Sequence, residues 1–158
     1  MTKARFRIGL ISAATTAVVA LLDGPRVCLA NLGDSRAYVA LRPLAGTDSE
    51  PRGLERLTAD HDVAHELLRE RKPLAMALTA KGASQLTRFL GRLAPQEAGP
   101  GFEAVDPDPD FHHHVLLPGE RLLLCSDGLS DYVAQADAEG DAAIARVLSE
   151  QRDGARAA

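Results

Sequence analysis

The run Arg121-Leu122-Leu123-Leu124-Cys125 stops abruptly at Ser126-Asp127-Gly128. Four consecutive apolar positions bounded by Pro118-Gly119 on one side and Ser-Asp-Gly on the other read as a short strand of the kind buried on both faces. Such a strand needs structure packed above and below it, which suits a layered domain.

Other segments supply candidate layers. Residues 15–22 are short, apolar and rich in β-branched side chains, and they end at Asp23-Gly24, a pair that favours a tight hairpin. Residues 26–32 read as the returning strand, Gly33-Asp34 as the next turn, and residues 36–41 as a third strand, so the first third is an antiparallel meander with Asp34 at a turn. Residues 42–53 read as a loop, and residues 54–57 as a short strand leading into Thr58-Ala59-Asp60-His61. Asp62 is placed to cap a helix over 63–70, whose Val63, Leu67 and Leu68 share one face. Further helix is expected within residues 73–91, interrupted by Gly82 and Gly91, and a Pro/Gly/acid-rich loop over 94–109. Residues 115–117 lead to the Pro118-Gly119 turn, and Ala143, Ile144, Val147 and Leu148 have the spacing of an amphipathic final helix over 141–151. Strands first and helices outside make the class α+β.

Composition narrows the function. At 158 residues and 46% hydrophobic the chain suits one domain with its own core. Eighteen Lys+Arg against 22 Asp+Glu give a formal charge of −4, without a broad basic field for a nucleic-acid backbone. Aromatics make up 4% and tryptophan is absent, so Leu, Val and Ala must build the core. Cys28 and Cys125 both sit in apolar runs, which favours reduced, buried thiols over a disulfide. The basic start is followed by an apolar stretch broken by Ser12, Thr15 and Thr16, then by Asp23-Gly24-Pro25, which is neither a signal peptide nor a membrane span. The expected location is the cytoplasm.

Three carboxylates stand out. Asp127 lies at the rim of the apolar strand before a glycine, and Asp131 follows four residues later. If the chain turns helical there, the two become neighbours, and neighbouring carboxylates repel unless a cation lies between them. The same residues also suit a helix cap and a first-turn acid. Asp34 is equally open between a metal-facing carboxylate and a turn residue paired with Arg36. The tract His112-His113-His114 points to alternate faces of a strand and cannot converge on one ion, so it reads as surface histidines. His61 and His65 have helical spacing but no third ligand, which leaves capping or packing as their role.

In combination the motifs resemble one family. The segment Leu29-Ala30-Asn31-Leu32-Gly33-Asp34-Ser35-Arg36-Ala37-Tyr38, the strand Ala14-Thr15-Thr16-Ala17-Val18-Val19, Leu57-Thr58-Ala59-Asp60-His61, Leu86-Thr87-Arg88-Phe89-Leu90-Gly91 and the stretch from Pro118-Gly119-Glu120 through Ser126-Asp127-Gly128-Leu129 occur in the order seen in metal-dependent serine/threonine protein phosphatases, the PPM or type 2C family. The resemblance runs over roughly residues 14–150. It implies a layered α-β-β-α sandwich of two antiparallel sheets flanked by helices, and a Mg²⁺ or Mn²⁺ centre that hydrolyses phosphoserine and phosphothreonine through an activated water. Position by position, it makes Asp127 a ligand of the catalytic metal pair, and Asp34 and Asp131 ligands of an additional metal. It implies phosphorylated proteins as partners, with a serine/threonine kinase or its substrates among them, and neither nucleic acid nor membrane. The family's first Asp-Gly motif, its last Asp-Asn motif and its phosphate-binding arginine have no match here, so residues 1–158 read as a single, incomplete domain. The alternative is a catalytically inactive fragment or a binding module for phosphoproteins. Incompleteness also implies unpaired strand edges and exposed apolar surface.

Overall fold

The computed structural model describes residues 14–41, 53–95 and 101–129, together with 144, 147 and 148. Strand β1 (Ala17–Asp23) turns into β2 (Arg26–Leu32) through Gly24-Pro25, with Asp23 paired to Arg26. Gly24 takes φ 57°, a conformation open to glycine, and Pro25 fixes the second turn residue. Strand β3 (Arg36–Ala40) follows, then β4 (Leu54–Arg56), helix α1 (Val63–Arg69), helix α2 (Leu74–Thr79), and strands β5 (Leu93–Pro95), β6 (Phe102–Ala104), β7 (Asp110–Val115) and β8 (Arg121–Cys125).

These strands form two three-stranded antiparallel sheets, β1-β2-β7 and β4-β3-β8, and the small pair β5-β6. Strand β2 alternates, burying Val27, Leu29 and Asn31 while Cys28 and Ala30 are only half-buried. Val27 and Leu29 meet Ala37 of β3 in the centre, joined by Val18, Ala20, Leu57, Leu116 and Leu122. Because these side chains come from both sheets, the core is the space between two facing layers, as in a sandwich. The α+β class is as expected, but the antiparallel meander stops after two strands: β1 and β2 pair as a hairpin, whereas the Gly33-Asp34-Ser35 turn carries the chain into the facing sheet, where β3 pairs with β4 and β8.

Several local expectations need correction. Strand β8 is not buried on both faces: among the described residues it lies at the edge of its sheet, most of its residues are half-buried and Leu124 is exposed. Continuous apolarity reports what a strand can bury, whereas its place in the sheet decides what covers it. Residues 73–91 hold only the six-residue α2, after which the chain runs through turns and two isolated bridges, Asp62 to Leu86 and Thr15 to Leu90. Within the expected 94–109 loop, residues 102–104 pair with 93–95 as a hairpin whose side chains are mostly exposed. Backbone pairing with little burial leaves no hydrophobic pattern to read. Both cysteines are free, as expected, but half-buried rather than buried. The final helix falls largely outside the described residues. Ile144, Val147 and Leu148 are helical, Ile144 is buried, and Arg121 donates to the Leu148 carbonyl.

Exposed apolar surface is present. Val19 and Leu21 of β1 share the outer face of their sheet with Phe111 and Val115 of β7, and all four are exposed. Among the described residues no helix is long and apolar enough to cross a membrane.

Candidate metal centre

The turn between β2 and β3 carries Gly33-Asp34-Ser35, and Arg36 opens β3. Gly33 has φ 101°, and a Cβ there would lie 2.6 Å from Thr16 Cβ and 2.3 Å from Thr16 Cγ2. Both backbone shape and the approach of β1 therefore demand glycine. Thr16 also reaches past it, with its hydroxyl 2.8 Å from the Ser35 hydroxyl.

Behind the turn runs the segment from Leu57 to His61, bonded to it along its length. The Leu57 N–H donates to the Ala37 carbonyl at 2.8 Å, and the Ala37 N–H donates to the Thr58 hydroxyl at 3.0 Å. The Asn31 amide donates to the Ala59 carbonyl at 2.9 Å. Asp60 takes the Arg36 guanidinium on both oxygens, at 3.1 and 2.8 Å, and accepts from Arg56 as well. The hydrogen bonds from Arg36 to Asp60 hold that guanidinium well above its ordinary range. His61 closes the strut: its N–H donates to the Gly33 carbonyl at 3.0 Å, and its Nδ1 accepts from the Gly33 N–H at 3.2 Å.

Asp34 is thus presented from a turn fixed on three sides. Strand register then brings Asp127 to it. Arg36 pairs with Cys125 across the antiparallel β3-β8 ladder. The chain segments that carry Asp34 and Asp127 therefore leave the two strands at the same end of the ladder. The electrostatics agree: burial first, then the Asp127 and Asp60 carboxylates, push the Asp34 carboxyl above its ordinary range, against its own backbone hydrogen bond and Arg36. Asp127 is exposed and opens a helical turn over 127–129, in which the Leu129 N–H donates to the Ser126 carbonyl at 3.2 Å. The chain does turn helical at this point, as proximity of Asp127 and Asp131 requires. Asp131 itself lies outside the described residues. Arg36 pairs with Asp60 across the fold, which gives it a partner far from its own turn.

A second acidic group, Asp60, Asp62 and His65, has ligand atoms within 4.8 Å of one another. Its donors are already engaged. Asp60 neutralises two guanidinium groups, while Asp62 Oδ1 accepts from the His65 N–H at 2.7 Å and lies 2.8 Å from His65 Nδ1. That is the expected helix cap of α1, with His65 drawn into it. His61 is fully buried. Burial first and Arg88 second push its imidazole below the ordinary value. The three consecutive histidines lie on β7 with alternating burial: His112 and His114 face inward and are half-buried, and His113 is exposed, so they do not converge.

The support that the strut from Thr58 to His61 gives the turn is the part of the site that local sequence pattern does not reveal. Its signal is a run of polar residues, Thr58, Asp60 and His61, that are all buried. Buried polar groups require partners. In the sequence those partners lie 21–28 residues away and follow no local period.

The family model described as protein phosphatase 2C matches residues 3–142. Over 142 residues the chain is 33% identical to the serine/threonine phosphatase stp of Listeria innocua serovar 6a, covering 88% of this chain and 48% of that protein. The stp of Listeria monocytogenes serotype 4b matches at the same identity and coverage. The chain thus spans about half the length of the curated relatives it matches. Among solved structures, the Mycobacterium tuberculosis serine/threonine phosphatase PstP/Ppp is similar with TM-score 0.53 and 26% identity, over 88% of this chain and 54% of that one. The S. agalactiae serine/threonine phosphatase shares the fold with TM-score 0.57 at 23% identity, over 89% of this chain and 50% of that one. The matched span takes in Gly33-Asp34-Ser35, its strut and the Asp127 rim, and the chain belongs to the protein phosphatase 2C family.

Proposed function

We propose that this chain contributes one wall of a Mg²⁺ or Mn²⁺ centre that hydrolyses phosphoserine and phosphothreonine in proteins, with Asp34, Asp127 and Asp131 as its carboxylate ligands. The observation that carries the reading is the pairing of β3 with β8, which brings the segments bearing Asp34 and Asp127 out at the same end of the sheet, near enough for the Asp127 charge to act on Asp34. Two carboxylates acting on each other at a partly desolvated turn fit a hard divalent cation, whose oxygen shell water can complete. A bound cation would supply charge to neutralise phosphoryl oxygens and acidity to activate a water for in-line attack on phosphorus. The residues of this chain hold and aim. Asp60 is occupied by Arg36 and Arg56, so its charge is spent on anchoring the turn and not on a ligand role.

The substrate class is supported by the relatives, which are named serine/threonine phosphatases. On the same reading the partners are phosphoproteins, including a serine/threonine kinase or its substrates. The two free thiols suit the reducing conditions of the cytoplasm. The test is phosphate release from a phosphothreonine peptide by the purified chain across a Mn²⁺ series, beside Asp127→Asn. Mn²⁺-dependent turnover is expected, falling in Asp127→Asn by more than the roughly 10–100-fold that loss of an outer-shell partner costs. Equal Mn²⁺-dependent turnover by the variant would remove Asp127 from the site.

A further inference from the structure

His61 is entirely buried, yet it makes no use of its ring as a ligand or a surface group. Its contacts run in two directions. Toward the turn, both backbone polar groups of Gly33 are taken by this one residue: the Gly33 carbonyl by the His61 N–H at 3.0 Å and the Gly33 N–H by His61 Nδ1 at 3.2 Å. Away from the turn, Nε2 faces Asp110 Oδ2 of β7 at 3.3 Å, close but poorly aligned for a hydrogen bond. Asp110 is held by Arg69 and by Arg88, the latter at 2.8 Å. The His61 carbonyl accepts from the Thr87 N–H at 2.8 Å, which fixes the backbone that carries the ring.

An imidazole nitrogen that accepts from a backbone N–H carries no proton, so the proton of the neutral ring sits on Nε2, the nitrogen that faces the Asp110 carboxylate. Gly33 cannot rotate away without losing both bonds, and Thr16 blocks the space beside it. Asp34 is the next residue. We propose that His61 is a positioning residue for Asp34: its neutral ring, with Nε2 facing Asp110, holds the Leu32-Gly33 peptide while its backbone N–H holds the Gly33-Asp34 peptide, so that Gly33 is pinned on both sides and the adjoining carboxylate is preorganised for a divalent cation. The inference rests on the reading of Asp34 as a metal ligand. It differs from a packing role in needing an acceptor at one ring position rather than only bulk.

That difference is testable with Mn²⁺ alone as the probe, followed by loss of its free-ion paramagnetic resonance signal on adding the purified chain. The Asp34-dependent part of binding is the part lost in Asp34→Asn. His61→Leu keeps apolar bulk but offers no acceptor, and is expected to weaken Asp34-dependent binding by roughly 10–100-fold, the usual effect of losing an outer-shell partner. His61→Asn places an amide oxygen near the position of Nδ1 and is expected to restore most of the affinity. Ala77→Gly, a buried change in α2, serves as a destabilised control and should leave Mn²⁺ affinity unchanged. Unchanged affinity in His61→Leu, or failure of Asn to do better than Leu, overturns the positioning role and leaves the metal site standing. Absence of Asp34-dependent binding in the unmodified chain overturns the metal reading and the inference with it. Should His61→Leu fail to fold, the ¹⁵N shifts of the His61 ring in the unmodified chain decide: an unprotonated Nδ1 is expected, and a proton on Nδ1 contradicts the proposal.

Discussion

Asp34 stands in a position that costs the fold something. Burial and the neighbouring Asp127 and Asp60 carboxylates raise its carboxyl above the ordinary value. For an acid this sign means that the folded state binds the proton more tightly than the unfolded chain does. Its relative stabilisation is complete below the unfolded value near 3.8 and is lost as pH rises through the folded value. At neutral pH the ionised group therefore works against the metal-free fold, a trade common where a site is built for a ligand. Asp34→Asn, measured by calorimetry at pH 7 with chelator present, is expected to melt at a higher temperature than the unmodified chain, and the gap should close below pH 4. A lower melting temperature at pH 7 would mean that Asp34 is a structural acid. Asp110 shows the opposite sign: burial raises its carboxyl, but hydrogen bonds from Arg88 and Arg69, with the His61 ring close by, outweigh this and hold it well below the usual carboxylate range. Its contribution to stability is present above the unfolded carboxylate value and is lost only in strong acid.

Between elements, the segment from Leu57 to His61 does what a paired strand does, but with side chains standing in for much of the ladder. Thr58 shows the principle. Its buried hydroxyl accepts the Ala37 N–H, so the first residues of β3 are held by an oxygen that belongs to no strand. Thr58→Val keeps the shape and removes the acceptor, leaving a buried N–H without a partner, which costs about 1–3 kcal/mol. Denaturant unfolding of Thr58→Val should show that loss in the midpoint, and Thr58→Ser should recover most of it. If valine is tolerated without loss, the strut is packing rather than hydrogen bonding. The tight turns were readable from residues alone, because Asp23-Gly24, Gly33-Asp34 and Pro118-Gly119 each carry a local conformational requirement. So was the Asp62 cap, which acts over three residues. The strut was not, since its partners lie across the fold. The apolar run of β8 reveals a strand but not how it is covered, because apolar pattern carries no information about which neighbour is present.

Over the whole molecule, two small sheets meet on a core of Val27, Leu29 and Ala37, and the loops at one end of that sandwich carry the carboxylates. The order of motifs along the chain was enough to anticipate both this architecture and the family. What the order alone does not contain is how the segments bearing Asp34 and Asp127 come to one end of a sheet. That follows from pairing β3 with β8, two strands about 80 residues apart whose register is fixed by sheet geometry rather than by either sequence motif. The outer face of Val19, Leu21, Phe111 and Val115 is apolar and exposed, and patches of that kind mark surfaces that bind something else. The central claim is that Asp34 and Asp127 share one hydrated cation. Crystals soaked in Mn²⁺ and measured at the manganese absorption edge address it directly. The account predicts an anomalous peak between the two side chains, with an oxygen of each about 2.1 Å from it. Absence of a peak there, with the two carboxylates turned to separate faces, would contradict it.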